Sequence, residues 1–174
     1  MRRAASAKAA SAAWAHAQPP ELRVLFIGNS LTAANDLPGM VERRGGKILN
    51  VASTAAFQPG PLMAVYCATK AYVLSFSESI AEEVRGSGVT ISTLCPGGTE
   101  SGFQERAAMQ ESKFVQGGLM KSEQVAEAGY QGSLAGQTII IPGLPNKAVA
   151  NLHRFLPRRL ITRMAMNTLE AVGH

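Results

Sequence analysis

Lys47-Ile48-Leu49-Asn50-Val51-Ala52-Ser53 is a short apolar run, and its neighbours give it a direction. At seven residues it suits a buried strand better than a helix. Pro59-Gly60-Pro61 then marks a loop over 54–61. Residues 62–85 place Val65, Ala68, Tyr72, Phe76, Ile80 and Val84 three or four apart, which is the spacing of one helix face. Gly86 stands where a helix C-terminus is capped. Residues 89–94 return to a strand pattern that Pro96-Gly97-Gly98 ends. Residues 122–133 read as another helix with Ser122 as its N-cap, and 138–142 (Thr-Ile-Ile-Ile-Pro) as a last buried strand. Strands alternating with helices predict a parallel sheet with right-handed crossovers.

Working outward, residues 23–28 (Arg-Val-Leu-Phe-Ile-Gly) also read as a buried strand, followed by a polar turn over 29–37. A short helix is expected after Pro38, stopped by Gly45-Gly46. Residues 102–118, with Gly117-Gly118, read as a mobile segment. The expected product is a three-layer α/β domain over 21–146 with about four parallel strands, flanked by a tail over 1–20 and a basic helical tail over 147–174. The tail over 1–20 is Ala-rich and free of acid, and suits a disordered end or a targeting segment, signal or transit. Without such a segment the chain is expected in the cytoplasm.

Charge and composition narrow the function. The chain of 174 residues carries a net +5, but residues 1–20 hold +3 and 147–174 hold +4, leaving −2 for the body. Positive charge confined to the ends argues against a nucleic-acid-binding core. Two cysteines give no disulfide framework, and His16, His153 and His174 show no metal-ligand spacing. No apolar run reaches transmembrane length. In the last part Val149, Leu152, Phe155, Leu156, Leu160, Ile161 and Met164 alternate with Arg154, Arg158, Arg159 and Arg163. That pattern suits an amphipathic helix packed on its own domain with snorkelling arginines, and residues 147–169 also suit weak association with an anionic membrane surface.

Three residues carry chemistry. Tyr66 and Lys70 are four apart and share a helix face. An ammonium beside a phenol favours the phenolate, which makes Tyr66 a usable general acid or base. Ser53, at the C-terminal end of a strand, is placed to hydrogen-bond a substrate oxygen in the same cleft.

The segments Ile48-Leu49-Asn50-Val51-Ala52-Ser53, Tyr66-Cys67-Ala68-Thr69-Lys70 and Leu94-Cys95-Pro96-Gly97 together resemble the short-chain dehydrogenase/reductase family over a little more than half the chain. The resemblance implies a Rossmann-like fold and an NAD- or NADP-dependent carbonyl/alcohol oxidoreductase, closest to members acting on ketones or 3-ketoacyl chains. It implies Ser53, Tyr66 and Lys70 as catalytic residues. It also implies that Tyr66 and Lys70, with Pro96, Gly97 and Thr99, lie against the nicotinamide end of the cofactor. Gly98 stands where that family commonly has Pro, and Ser101 where it often has Thr. The family's glycine-rich turn and Asn-Asn-Ala-Gly segment are missing, since residues 23–36 contain only Gly28. On this reading the Rossmann-like domain is truncated, and the adenosine half of a dinucleotide has no phosphate-binding turn.

Residues 23–41 resemble instead the opening block of SGNH/GDSL hydrolases, with Ser30 of Gly28-Asn29-Ser30-Leu31 as the nucleophile. The late Asp-x-x-His pair such a serine needs is absent, because Asp36 is the only aspartate. The two resemblances meet at Leu37-Pro38-Gly39-Met40-Val41, which predicts a chimera joined near 37–41. Two alternatives to the oxidoreductase follow. One is a weak serine esterase using Ser30, or Ser53 activated through Tyr66 and Lys70. The other is a non-catalytic association module, dimerising through an exposed sheet edge.

Overall fold

Strand β1 (Gly46–Val51) pairs in parallel with β2 (Val89–Leu94) along its whole length, setting Ile48 beside Ile91 and Asn50 beside Thr93. Strand β3 (Ile139–Ile140) extends the sheet in parallel on the other side of β2, in the order β1-β2-β3. The computed structural model describes residues 37–102, 112–116 and 118–169. From Met40 onward the described elements form one compact unit.

Helices occupy much of the described chain around the strands. Helix α1 covers Leu37–Glu42, a 3-10 turn Thr54–Phe57, α2 Ala64–Glu83, α3 Lys113–Gln116, α4 Ser122–Leu134, α5 Leu144–Leu152 and α6 Arg158–Leu169. Both crossovers step the same way across the parallel sheet, in the order β1-β2-β3, yet their helices lie on opposite faces, so the two have opposite hands and the expectation of right-handed crossovers throughout is corrected. Helix α2 takes the face of Asn50, where Ala52, Leu74 and Cys95 form a buried cluster. There Asn50 Nδ2 donates to Ser77 Oγ at 2.9 Å, and that hydroxyl donates to the Val73 carbonyl at 2.7 Å. Helix α4 takes the opposite face, where Leu94, Val125 and Ile140 form a second cluster. The result is the expected three-layer arrangement, with a Rossmann-like parallel sheet at its centre.

Several local expectations need correction. Among the described residues the sheet has three strands; the strand expected at 23–28, and with it the fourth position, lies outside them. The run 47–53 is regular strand only as far as Val51, because Ser53 turns to cap the 3-10 turn, which occupies part of the expected 54–61 loop. Lys121 occupies the N-cap position of α4 without a side-chain capping bond, and Ser122 is the first helical residue rather than the cap. Gly46 opens β1 instead of ending the preceding helix, which finishes at Glu42. The basic tail becomes helical at Leu144, before Lys147, and the described part of 102–118 includes α3. Pro157 does break that tail, between α5 and α6.

One glycine is demanded by the chain path. Gly88, at φ +87°, delivers the chain into β2 with its Cα against the Arg44 carbonyl, which leaves no room for a Cβ.

Candidate active site

The strand ends build the site. The parallel ladder continues past the strands proper: Ala52 N donates to the Leu94 carbonyl at 2.8 Å, Thr54 N to the Pro96 carbonyl at 2.9 Å, and Cys95 N to the Ile140 carbonyl at 2.8 Å. These bonds hold Ser53 and the Pro96-Gly97 turn side by side at the carboxyl edge of the sheet, the edge where open α/β sheets bind ligands.

Ser53 has extended backbone and a side chain buried at 8% exposure. Its hydroxyl accepts from Ala55 N at 3.1 Å and donates weakly to the Pro96 carbonyl at 3.4 Å. Both partners are backbone groups at the mouth of the cleft, so the hydroxyl is oriented while its donor is held by a long bond.

Tyr66 and Lys70 lie one turn apart near the start of α2. The Lys70 ammonium sits 5.7 Å from the centre of the Tyr66 ring and donates to the Val51 carbonyl at 3.0 Å. That places the cation over the ring face and ties the helix to the end of β1. Burial lowers the Lys70 amine from its ordinary value, and the nearby Cys95 thiol opposes that shift. Thr69 bonds the Tyr66 carbonyl at 2.7 Å.

Thr99 Oγ1 donates to the Gly97 carbonyl at 3.1 Å. Two backbone bonds, Met120 N to the Gly98 carbonyl and Glu100 N to the Met120 carbonyl, both 2.9 Å, fasten the segment after the turn to the chain ahead of α4.

Ser53, Tyr66, Lys70, Pro96, Gly97 and Thr99 all line one cavity of about 450 Å³. That is the size of a small-molecule site. Ser30 lies outside the described residues. The far wall is apolar and comes from elements not assigned to the site from sequence: Phe114 of α3, Val149 and Leu152 of α5, and Ile161, Met164 and Ala165 of α6. The sequence pattern predicts an amphipathic helix packed on its own domain over this part, but such a pattern shows which residues are apolar and not that they face this cavity.

Asn146 was also missed. It enters the cavity from the first turn of α5, and its Nδ2 donates to the Pro142 carbonyl at 2.8 Å. Its carboxamide lies so close to Gly97 that a Cβ there would sit 2.6 Å from Asn146 Cγ. A signal was available in Pro142-Gly143, which repeats after β3 the Pro-Gly turn that follows β2. Similarly, Gly98 leaves the space taken by Phe114 and Leu119, whose side chains a Cβ would meet at 3.1 and 2.8 Å. Among the described residues no three His, Cys, Asp or Glu side chains converge as metal ligands, and no helix is long and apolar enough to cross a membrane.

Comparison with known proteins adds ancestry. Residues 6–112 match the short chain dehydrogenase family model. An inactive 2-(S)-hydroxypropyl-CoM dehydrogenase 2 of Xanthobacter autotrophicus is 36% identical over 118 residues, covering 62% of this chain and 51% of the relative. A very-long-chain 3-oxoacyl-CoA reductase of Bos taurus is 47% identical over 60 residues, covering 34% of this chain and 19% of the relative. The chain thus spans about half, or less, of the length of these curated relatives.

Among solved structures, a short-chain dehydrogenase from Sphingobium yanoikuyae in complex with NADPH superposes with a TM-score of 0.59 at 26% identity, over 74% of this chain and 53% of that one. A Burkholderia cenocepacia short chain dehydrogenase in complex with NADP shares the fold, with a TM-score of 0.59 at 18% identity, over 82% of this chain and 62% of its own. The family match begins ahead of residues 23–41 and runs through them. The hydrolase resemblance of that segment, and the junction inferred from it, receive no support from these matches.

Proposed function

Because the chain belongs to the short chain dehydrogenase family, we propose that its cavity is the reaction site of a nicotinamide-dependent carbonyl/alcohol oxidoreductase. The observation that carries this reading is the convergence of Ser53, Tyr66, Lys70 and the Pro96-Gly97 turn on one cavity at the carboxyl edge of a parallel sheet.

The donor set fits the nicotinamide end of the cofactor. Lys70 offers an ammonium suited to ribose hydroxyls, and Tyr66, Pro96, Gly97 and Thr99 complete the surface that would hold the ring and its ribose. When bound, the nicotinamide supplies or accepts the hydride. Tyr66 gives a proton to the carbonyl oxygen in reduction and takes it back in oxidation. Ser53 orients the same oxygen by exchanging its long bond to the Pro96 carbonyl for one to substrate. Residues 23–36 provide no glycine-rich turn for the adenosine end. Affinity is therefore expected to come from the nicotinamide half.

Fluorescence titration tests this with NADPH, NADH and reduced nicotinamide mononucleotide. The expected result is saturable binding of all three with similar affinity, lost in Lys70→Ala. A tighter dinucleotide would mean that the adenosine half is held after all. No binding of any of the three would overturn the proposal. With cofactor bound, Tyr66→Phe should lower reduction of apolar ketones, followed at the nicotinamide absorbance, by about 100-fold or more.

A further inference from the structure

We propose that the outer surface of α5 and α6 docks the protein on an anionic lipid bilayer. Residues 144–169 carry Lys147, Arg154, Arg158, Arg159 and Arg163 and no acidic residue. Large apolar side chains stand exposed among these cations: Phe155 at 80%, Leu144 at 79% and Leu160 at 44%. None of those three lines the cavity, so their exposure is to the outside.

The inner side of the same helices is already used, with Ile161 and Ala165 buried against the domain. The amphipathic pattern is therefore only half explained by packing. In α6 the buried pair lies on one face, while Arg159, Leu160 and Arg163 share the other at helical spacing. A face that mixes exposed apolar side chains with cations is the composition that settles at a headgroup boundary, apolar groups in the acyl region and arginines at the phosphates. Charge complementarity selects an anionic surface over a zwitterionic one.

The surface also meets the cavity. Val149 and Met164 line it and are themselves about half exposed, at 46% and 44%. A bilayer seated on α5 and α6 would thus lie beside the cavity's apolar wall.

The test is co-sedimentation of the full chain with vesicles of phosphatidylglycerol and phosphatidylcholine, against vesicles of phosphatidylcholine alone. Each cation near the surface is worth about fivefold in partitioning. The parent should bind the anionic vesicles, and Arg158→Glu/Arg159→Glu should bind them at least about 25-fold more weakly. Phe155→Ser should also weaken binding, while Arg2→Glu/Arg3→Glu, with the same change in net charge, should matter much less. Circular dichroism melts of the variants identify any loss due to unfolding, and the exposed positions are chosen so that melting is unchanged. Equal loss in the amino-terminal variant would reduce the effect to net charge and overturn the proposal. So would equal partitioning to both kinds of vesicle. Sedimentation velocity without lipid completes the test: an oligomer that Phe155→Ser dissociates, with no vesicle binding, would assign the face to self-association instead.

Discussion

Cys95 has the most altered environment of any titratable side chain in the described structure. It is fully buried, and burial pushes its thiol up from 9.0 to about 11, against the opposing effects of the Ser53 backbone and Lys70. The folded chain therefore keeps a proton that the unfolded chain loses, and stability should fall as pH rises from 9.0 to about 11. Lys70, lowered by burial, acts in the opposite sense just below its ordinary value, and because Cys95 opposes that shift, its loss in the variant adds to the shallower decline. Thermal melts across that range should thus show a shallower alkaline decline for Cys95→Ala than for the parent; parallel declines would refute the assignment. Gly97 is the other decisive residue. A Cβ there would lie 2.6 Å from Asn146 Cγ and 2.7 Å from its Nδ2. Gly97→Ala should cost about 1–3 kcal/mol in urea unfolding and weaken binding of reduced nicotinamide mononucleotide. Asn146→Ala in the same chain should recover much of the stability, because it removes the clash.

At the scale of elements, α4 is notable for approaching the sheet through glycine. A Cβ on Gly132 would meet Ile140 at 2.7 Å from both Cδ1 and Cγ1 and at 3.1 Å from Cγ2, while one on Gly129 would chiefly meet Leu94 Cδ2 at 2.8 Å. Alanine gains about 1 kcal/mol over glycine in a helix interior. For Gly129→Ala that gain competes with a contact that rotation of the Leu94 side chain can relieve, and the net change should stay within about 1 kcal/mol. Gly132→Ala meets a β-branched side chain on three atoms, and should destabilise by about 1–3 kcal/mol. Denaturant midpoints at unchanged slope would measure both, and equal effects would contradict the distinction. The glycines were visible in the sequence as departures from helix preference; that they admit Leu94 and Ile140 was not, because the partners are 35 and 8 residues away along the chain.

For the molecule as a whole, α6 is both a stabilising element and a wall of the cavity. Ile161 is 3% exposed and lines that cavity with Ala165. Ile161→Ala should cost about 2–5 kcal/mol and open the apolar wall to solvent, which enhanced fluorescence of an apolar dye would report. If stability falls without added dye binding, α6 packs on the domain without closing the cavity.

Local pattern alone determined the parallel α/β class. Period-two and buried apolar runs separated by a helix of period 3.6 admit few other arrangements. Local pattern also predicted that Tyr66 and Lys70 share a helix face, since they stand four apart, and that Ser53 lies at a strand end; all three line the cavity. The strand bounds moved by only a residue or two, where Ser53 found a better use for its hydroxyl as a cap. Only the tertiary structure decided what encloses the cavity. Asn146, Phe114, Val149 and Ile161 reach it from positions remote in sequence. An amphipathic pattern records how apolar a helix face is and carries no address for the surface it covers; that address is set when the chain packs.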